Sequence, residues 1–128
     1  MLLLSRGRFL SRHKSARIVL LTTTGRKTGK ARTWPLAALP SGDGWVVAGS
    51  NGGHDEQPAW YLNLLAQPDA TLTVGDRRVP VRARAAEGDA RDREYRRFVD
   101  YLAVYAEYER ATTRVIPVVF LEPTVATR

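Results

Sequence analysis

The chain has 128 residues, 44% of them hydrophobic and 26% charged, with 20 Lys+Arg against 13 Asp+Glu for a formal net charge of +7. Its length fits one domain around one core, and its apolar runs, residues 18–21 and 115–121 broken by Pro117, fall far short of the roughly 18 residues of a membrane-spanning helix. The lack of cysteine excludes disulfides, thiolate catalysis and Cys-ligated zinc, while two histidines, His13 and His54, leave little material for a metal centre, so no metal is expected.

The charge is uneven: residues 1–42 hold nine basic residues and no acid. Met1-Leu-Leu-Leu4 precedes Arg6, Arg8 and Arg12, the reverse of a secretory signal, so a cytoplasmic location is expected. Residues 1–17 read in two ways. One is a short basic amphipathic helix with Leu3, Phe9 and Leu10 near one face, open to weak peripheral contact with an anionic membrane surface. The other is a basic arm packed loosely on the barrel, favoured by Gly7, which costs a helix roughly 1 kcal/mol. Residues 18–128 are then the single folded domain.

Residues 18–24 are rich in β-branched side chains, and 33–39 resume an apolar run after a basic turn at 26–32, which predicts two strands. A turn at 41–44, a strand at 45–49 and a glycine-containing loop at 50–57 follow. Pro58 suits the first turn of a short helix through Gln67, since its missing N–H is unpaired there anyway, and Pro68 stops that helix. Residues 70–75 and 78–85 flank Asp76-Arg77 as a hairpin, with Val79, Val81, Ala83 and Ala85 alternating with Arg78, Arg82 and Arg84. From Asp89 to about Thr112 the period becomes helical, through Tyr95, Phe98, Val99, Leu102, Tyr105 and Ala106, which predicts one longer helix. A last strand covers 115–121. Six mainly antiparallel strands with one short and one longer helix give an α+β class and a small barrel.

Three clusters carry chemistry. Gly25-x3-Gly29-Lys30 follows a strand but is one residue short of a P-loop, and Ala31 stands where a magnesium-binding hydroxyl is needed. What remains is a turn suited to phosphates or carboxylates, or else a solvated hairpin tip. Gly49-Ser-Asn-Gly-Gly53 is no nucleophile elbow, and no Asp–His pair is evident to activate Ser50, which disfavours a hydrolase. Glycines before a helix can instead offer N–H groups to a ring carbonyl or an anion, while Trp60 and Tyr61 serve equally well as core. On one helix Tyr101, Tyr105 and Tyr108 would fall within about 60° of one another, as core or as hydrogen-bond donors at the polar end of an apolar cavity. Only Phe9 and Trp34 lie near the basic stretch, so no stacking platform for nucleic acid is visible and none is expected as a partner.

Leu20-Leu-Thr-Thr-Thr-Gly-Arg-Lys-Thr-Gly-Lys-x-Arg32, Pro35-Leu36, Ser50-x-Gly-Gly53, Pro58-x-Trp-Tyr-Leu-Asn-Leu64 with Pro68, and Arg114-x-Ile-Pro117 occur in this order. Over about residues 18–123 they resemble the deazaflavin (F420)-dependent nitroreductase family. The resemblance implies a split β-barrel, monomeric or homodimeric, that passes a hydride from reduced coenzyme F420 to a quinone, enone or nitro compound. An FMN oxidoreductase on a similar barrel and a non-enzymatic F420-binding protein are the alternatives. It further implies that Arg26, Lys27, Thr28, Arg32 and Thr33 bind the coenzyme's phosphate and oligoglutamate tail. Ala48, Gly49, Ser50 and Asn51 would line the deazaflavin, and Ala59, Trp60, Tyr61 and Asn63 would complete the pocket. Tyr105 and Tyr108 match two tyrosines that close over the substrate in a nitroimidazole-reducing member. Leu102 takes the position of a third, so reduction of bulky nitroimidazoles is not expected unless Tyr101 substitutes from the adjacent turn. Ser50, Tyr105 and Tyr108 are the catalytic candidates, stabilising negative charge or relaying a proton.

Overall fold

Along β1 (Arg17–Thr24) Val19, Leu21 and Thr23 are buried while Ile18 and Leu20 stay exposed, the period-two pattern of a strand with one face in a core. The computed structural model describes residues 16–124. The other strands are β2 (Ala31–Ser41), β3 (Gly44–Ala48), β4 (Asp69–Val74), β5 (Arg77–Ala85) and β6 (Val118–Pro123). They close in the order β1-β2-β3-β6-β5-β4, every neighbouring pair antiparallel. Closure gives every strand two neighbours, although β2 pairs with β3 only over Ala38–Ser41.

Two cores follow from strand alternation. Inside the barrel lie Val19, Leu21, Ala38, Val47, Leu72, Val81, Val119 and Leu121, with Trp60 and Leu64 of helix α1 (Ala59–Ala66) packed against them. Their neighbours Leu39, Val46 and Val118 point the other way, onto Tyr95 and Phe98 of helix α2 (Gly88–Tyr101). Thus β2, β3 and β6 are apolar on both faces where the helix covers them, and each fully buried side chain of this kind contributes roughly 1.5–3 kcal/mol. On β5 the outward Arg82 and Arg84 pair across strands with Asp69 and Glu122 at 2.9 and 2.8 Å. These pairs are exposed and add little stability.

The structure departs from the expected elements in three places. One longer helix over 89–112 is replaced by two, α2 and α3 (Val104–Arg110), because Leu102 adopts φ −150° and ψ 115°. Tyr101, Tyr105 and Tyr108 therefore form no common stripe. The last strand begins at Val118 rather than 115: Val115 is 71% exposed, and Ile116 is drawn into the core under α2. Pro58 is the residue before α1, with extended ψ of 148°, rather than a member of its first turn. The arm or amphipathic helix expected over 1–17 lies almost wholly outside the described residues. Among those residues no helix is long and apolar enough to cross a membrane, and no cluster of three or more His, Cys, Asp or Glu is placed to hold a metal ion.

Candidate active site

A cavity of about 850 Å³ opens between β2, the 49–57 loop, the start of α1 and helix α3. Trp34, Pro35 and Leu36 form one wall, Ser50, Asn51 and Gly52 the loop side, Ala59 and Trp60 the helix side, and Tyr105 and Tyr108 the α3 side. Its size and mixed lining are those of a small-molecule pocket. A second recess of about 200 Å³ is lined by Gly25, Arg26, Lys27, Thr28, Arg32 and Asn63, and shares Arg26, Trp34 and Ala59 with the first.

The cationic turn is built from within. Gly25 N–H donates to the Lys30 carbonyl at 2.8 Å, Gly29 N–H to the Gly25 carbonyl at 2.8 Å, and Lys30 N–H to Thr28 Oγ1 at 3.2 Å. Gly29 has φ 76°, a left-handed turn position that suits glycine. One side chain of α1 fixes the turn to the barrel. The buried Asn63 accepts from the Arg26 backbone N–H at 3.2 Å and from its Nη1 at 2.9 Å, and donates to Thr23 Oγ1 at 3.0 Å.

The loop between β3 and α1 begins at Gly49, where a Cβ would stand 2.9 Å from Pro117 Cγ. A 3-10 turn, Asn51–Gly53, follows, with Gly53 N–H donating to the Ser50 carbonyl at 2.8 Å. Above it Tyr105 packs on Phe98 at 5.2 Å and meets Tyr108 edge-on at 5.4 Å. Burial raises the Tyr105 phenol above its ordinary pKa, and the neighbouring Tyr108 and Tyr101 add to the effect.

A sequence model of the F420H(2)-dependent quinone reductase family matches residues 4–123. The chain belongs to this family. An F420H(2)-dependent quinone reductase of Mycobacterium tuberculosis is 37% identical over 108 residues, 80% of this chain and 71% of its own length. A solved F420-H2 dependent reductase superposes with a TM-score of 0.75 at 39% identity, covering 82% of this chain and 93% of that one. Another solved chain, described as a domain-swapped dimer, has a TM-score of 0.76 at 34% identity and covers 94% of this chain and 96% of its own.

In this F420H(2)-dependent quinone reductase family member, the residues expected at the site fall into two groups. Arg26, Ala48, Ser50, Asn51, Ala59, Trp60, Tyr105 and Tyr108 line the large cavity, and Lys27, Thr28, Arg32 and Asn63 join Arg26 around the recess. Thr33, Gly49, Tyr61, Tyr101 and Leu102 line neither. Thr33 shares a 2.8 Å hydroxyl bond with Thr22, and Tyr61 sits edge-on to Trp60 at 6.4 Å. Tyr101 and Leu102, 41% and 52% exposed, end α2 where the chain turns away. Pro58, the head of the Pro58-x-Trp-Tyr motif, also lines the cleft, as do Trp34 and Gln57, which no sequence signal separates from ordinary strand and loop residues.

Proposed function

We propose that this protein is a reductase that takes a hydride from reduced coenzyme F420 and delivers it to a small conjugated acceptor, a quinone before an enone or a nitro compound. Besides family membership, what supports this is the continuity of an apolar-walled cleft with a cationic recess through Arg26, Trp34 and Ala59. The donor set fits a flat ring joined to an anionic tail. Guanidinium and ammonium groups with a threonine hydroxyl suit phosphate and carboxylates, and aromatic and small side chains suit a ring face.

In this proposal Arg26, Lys27, Thr28 and Arg32 hold the tail, while Ala48, Ser50, Asn51, Ala59 and Trp60 flank the ring. Asn63 spends both ends of its amide on Arg26 and Thr23, so its part is to aim Arg26 rather than to touch the coenzyme. When bound, the reduced deazaflavin supplies a hydride, which asks no metal or thiol of the protein. The protein orients the partners, narrows water access and manages charge on the acceptor. Tyr105, a neutral phenol at neutral pH as any tyrosine is, lines the cleft and can donate a hydrogen bond to an acceptor oxygen as that oxygen gains negative charge. Tyr108 and Ser50 line the same cleft and supply further hydroxyl donors, and the proton that completes reduction comes from one of these groups or from water.

An anaerobic absorbance assay tests the proposal. Reduced F420 should be oxidised in the presence of naphthoquinones, enones or nitroarenes only when the protein is added. Binding of FMN in place of F420 would overturn the cofactor choice, and F420 binding without turnover over the whole panel would overturn the enzyme reading.

A further inference from the structure

The Arg114-x-Ile-Pro117 motif carries a guanidinium that the proposed reaction leaves unused. Three of its nitrogens reach four acceptors in the 49–57 loop. Nε donates to the His54 carbonyl at 3.0 Å, Nη1 to the Gly49 carbonyl at 3.2 Å and to Gln57 Oε1 at 2.9 Å, and Nη2 to the Ser50 carbonyl at 2.9 Å. Carbonyls that have left the strand ladder need partners when water is scarce, and here one cation gathers three of them. The loop also holds three successive residues with positive φ, Asn51 at 49°, Gly52 at 63° and Gly53 at 84°. Asparagine tolerates this region better than most non-glycine residues, and Asn51 is held in it by its Nδ2 donating to the Glu56 carbonyl at 2.9 Å. On the other side, Thr112 Oγ1 donates to Asp55 Oδ1 at 2.8 Å. Gly53 lies so close under α3 that a Cβ there would stand 3.0 Å from Ala111 Cβ and 3.2 Å from Tyr108 Cα.

We propose that Arg114 is a positioning residue of the cleft, locking the 49–57 loop to the segment that leaves α3 and so fixing Ser50 and Asn51 against Tyr108. It acts through the loop, since it does not itself line the cavity. Its consequence for catalysis rests on the reductase reading above. Lysine cannot replace it, because a single ammonium lacks the planar fork that spans acceptors on both sides.

Arg114→Lys and Arg114→Met are compared with the unaltered protein by amide hydrogen exchange, by F420 fluorescence titration over a salt series, and by kcat and KM with menadione. Exchange should quicken in residues 49–57 and 104–111 while the barrel strands stay protected. The kcat of both variants should fall roughly ten- to a hundredfold, and the salt dependence of F420 affinity should match that of the unaltered protein. A shallower salt dependence would mean that Arg114 meets the coenzyme's charge directly, and it overturns the positioning role. Unchanged loop exchange, or faster exchange spread evenly over the barrel, overturns it too. Where Arg114→Met does not fold, Gln57→Leu removes one of the four acceptors, and faster exchange confined to residues 49–57 is expected; since Gln57 itself lines the cleft, exchange is the readout, and unchanged exchange overturns the proposal. If the unaltered protein neither binds F420 nor reduces menadione, the reductase reading fails, and the exchange comparison still decides whether Arg114 holds the loop.

Discussion

The Tyr95 hydroxyl donates a 2.6 Å hydrogen bond to the backbone carbonyl of Tyr105. In one continuous helix residues ten apart are about 15 Å apart along the axis, so this bond exists only because the chain breaks at Leu102 and folds α3 back. Arg91 reinforces it: its guanidinium lies 4.8 Å from the Tyr95 ring centre, Nε donates to the Ile116 carbonyl at 3.0 Å, and Nη1 is 3.6 Å from Glu109. One arginine and one tyrosine thereby tie α2, α3 and the approach to β6 together.

Tyr95→Phe should keep the ring in its core and lose only the bond to Tyr105. A loss of about 1–2 kcal/mol in urea unfolding is expected. Acceptor turnover should fall by a larger factor than F420 affinity, because Tyr105 and Tyr108 ride on α3. Equal losses in the two activities would argue that the bond serves the fold alone.

Alkaline pH should expose the same network. The Tyr95 phenol is pushed up to about 12, chiefly by burial and further by Glu109, with Arg91 opposing. An unfolded tyrosine releases its proton near pH 10. The folded protein therefore holds that proton more tightly, and the stability this gives is intact below about pH 10 and lost as pH rises towards 12. The urea midpoint should decline across that window, and decline less in Tyr95→Phe. Tyr105 is shifted in the same direction, so some decline should persist in the variant.

At the cationic recess, Arg26→Ala with Lys27→Ala should weaken F420 binding and flatten its salt dependence, because fewer charges meet the tail. Asn63→Leu should behave differently. It removes the group that aims Arg26 and leaves Thr23 Oγ1 without its partner, so affinity should fall with the salt dependence retained. Stability should drop by roughly 1–3 kcal/mol. Fluorescence titration at several ionic strengths separates the two outcomes.

Tyr105→Phe and Tyr108→Phe should each lower kcat/KM for a quinone by roughly ten- to a hundredfold and alter F420 affinity much less. Parallel losses in titration and turnover would remove the acceptor-side role of the phenols.

The alternation of Val79 and Val81 with Arg78 and Arg82 is readable because a half-exposed strand imposes it, and β5 falls where that pattern predicts. The break after Tyr101 is not readable in the same way. Leu102 and Ala103 are strong helix formers with no glycine or proline beside them, and the helix yields to contacts that Tyr105 makes with Tyr95 and Phe98. Residues 26–32 and 49–53 announce themselves by glycines and charge, and the structure brings the two segments to neighbouring walls of one cleft. The tasks of Asn63 and Arg114 stay hidden for another reason. Their partners lie 37 to 65 residues away in sequence, and only the closed barrel brings them within reach.

Helix α3 contains no fully buried residue and is joined to α2 through the extended Leu102. It is in effect a cassette clipped onto a finished chassis. The barrel's interior is filled by strands and α1 alone, so the outward positions of residues 104–110 are free to vary without disturbing that interior. Substitutions at the outward positions of those seven residues should therefore reshape the α3 side of the cleft and leave the barrel's stability nearly unchanged.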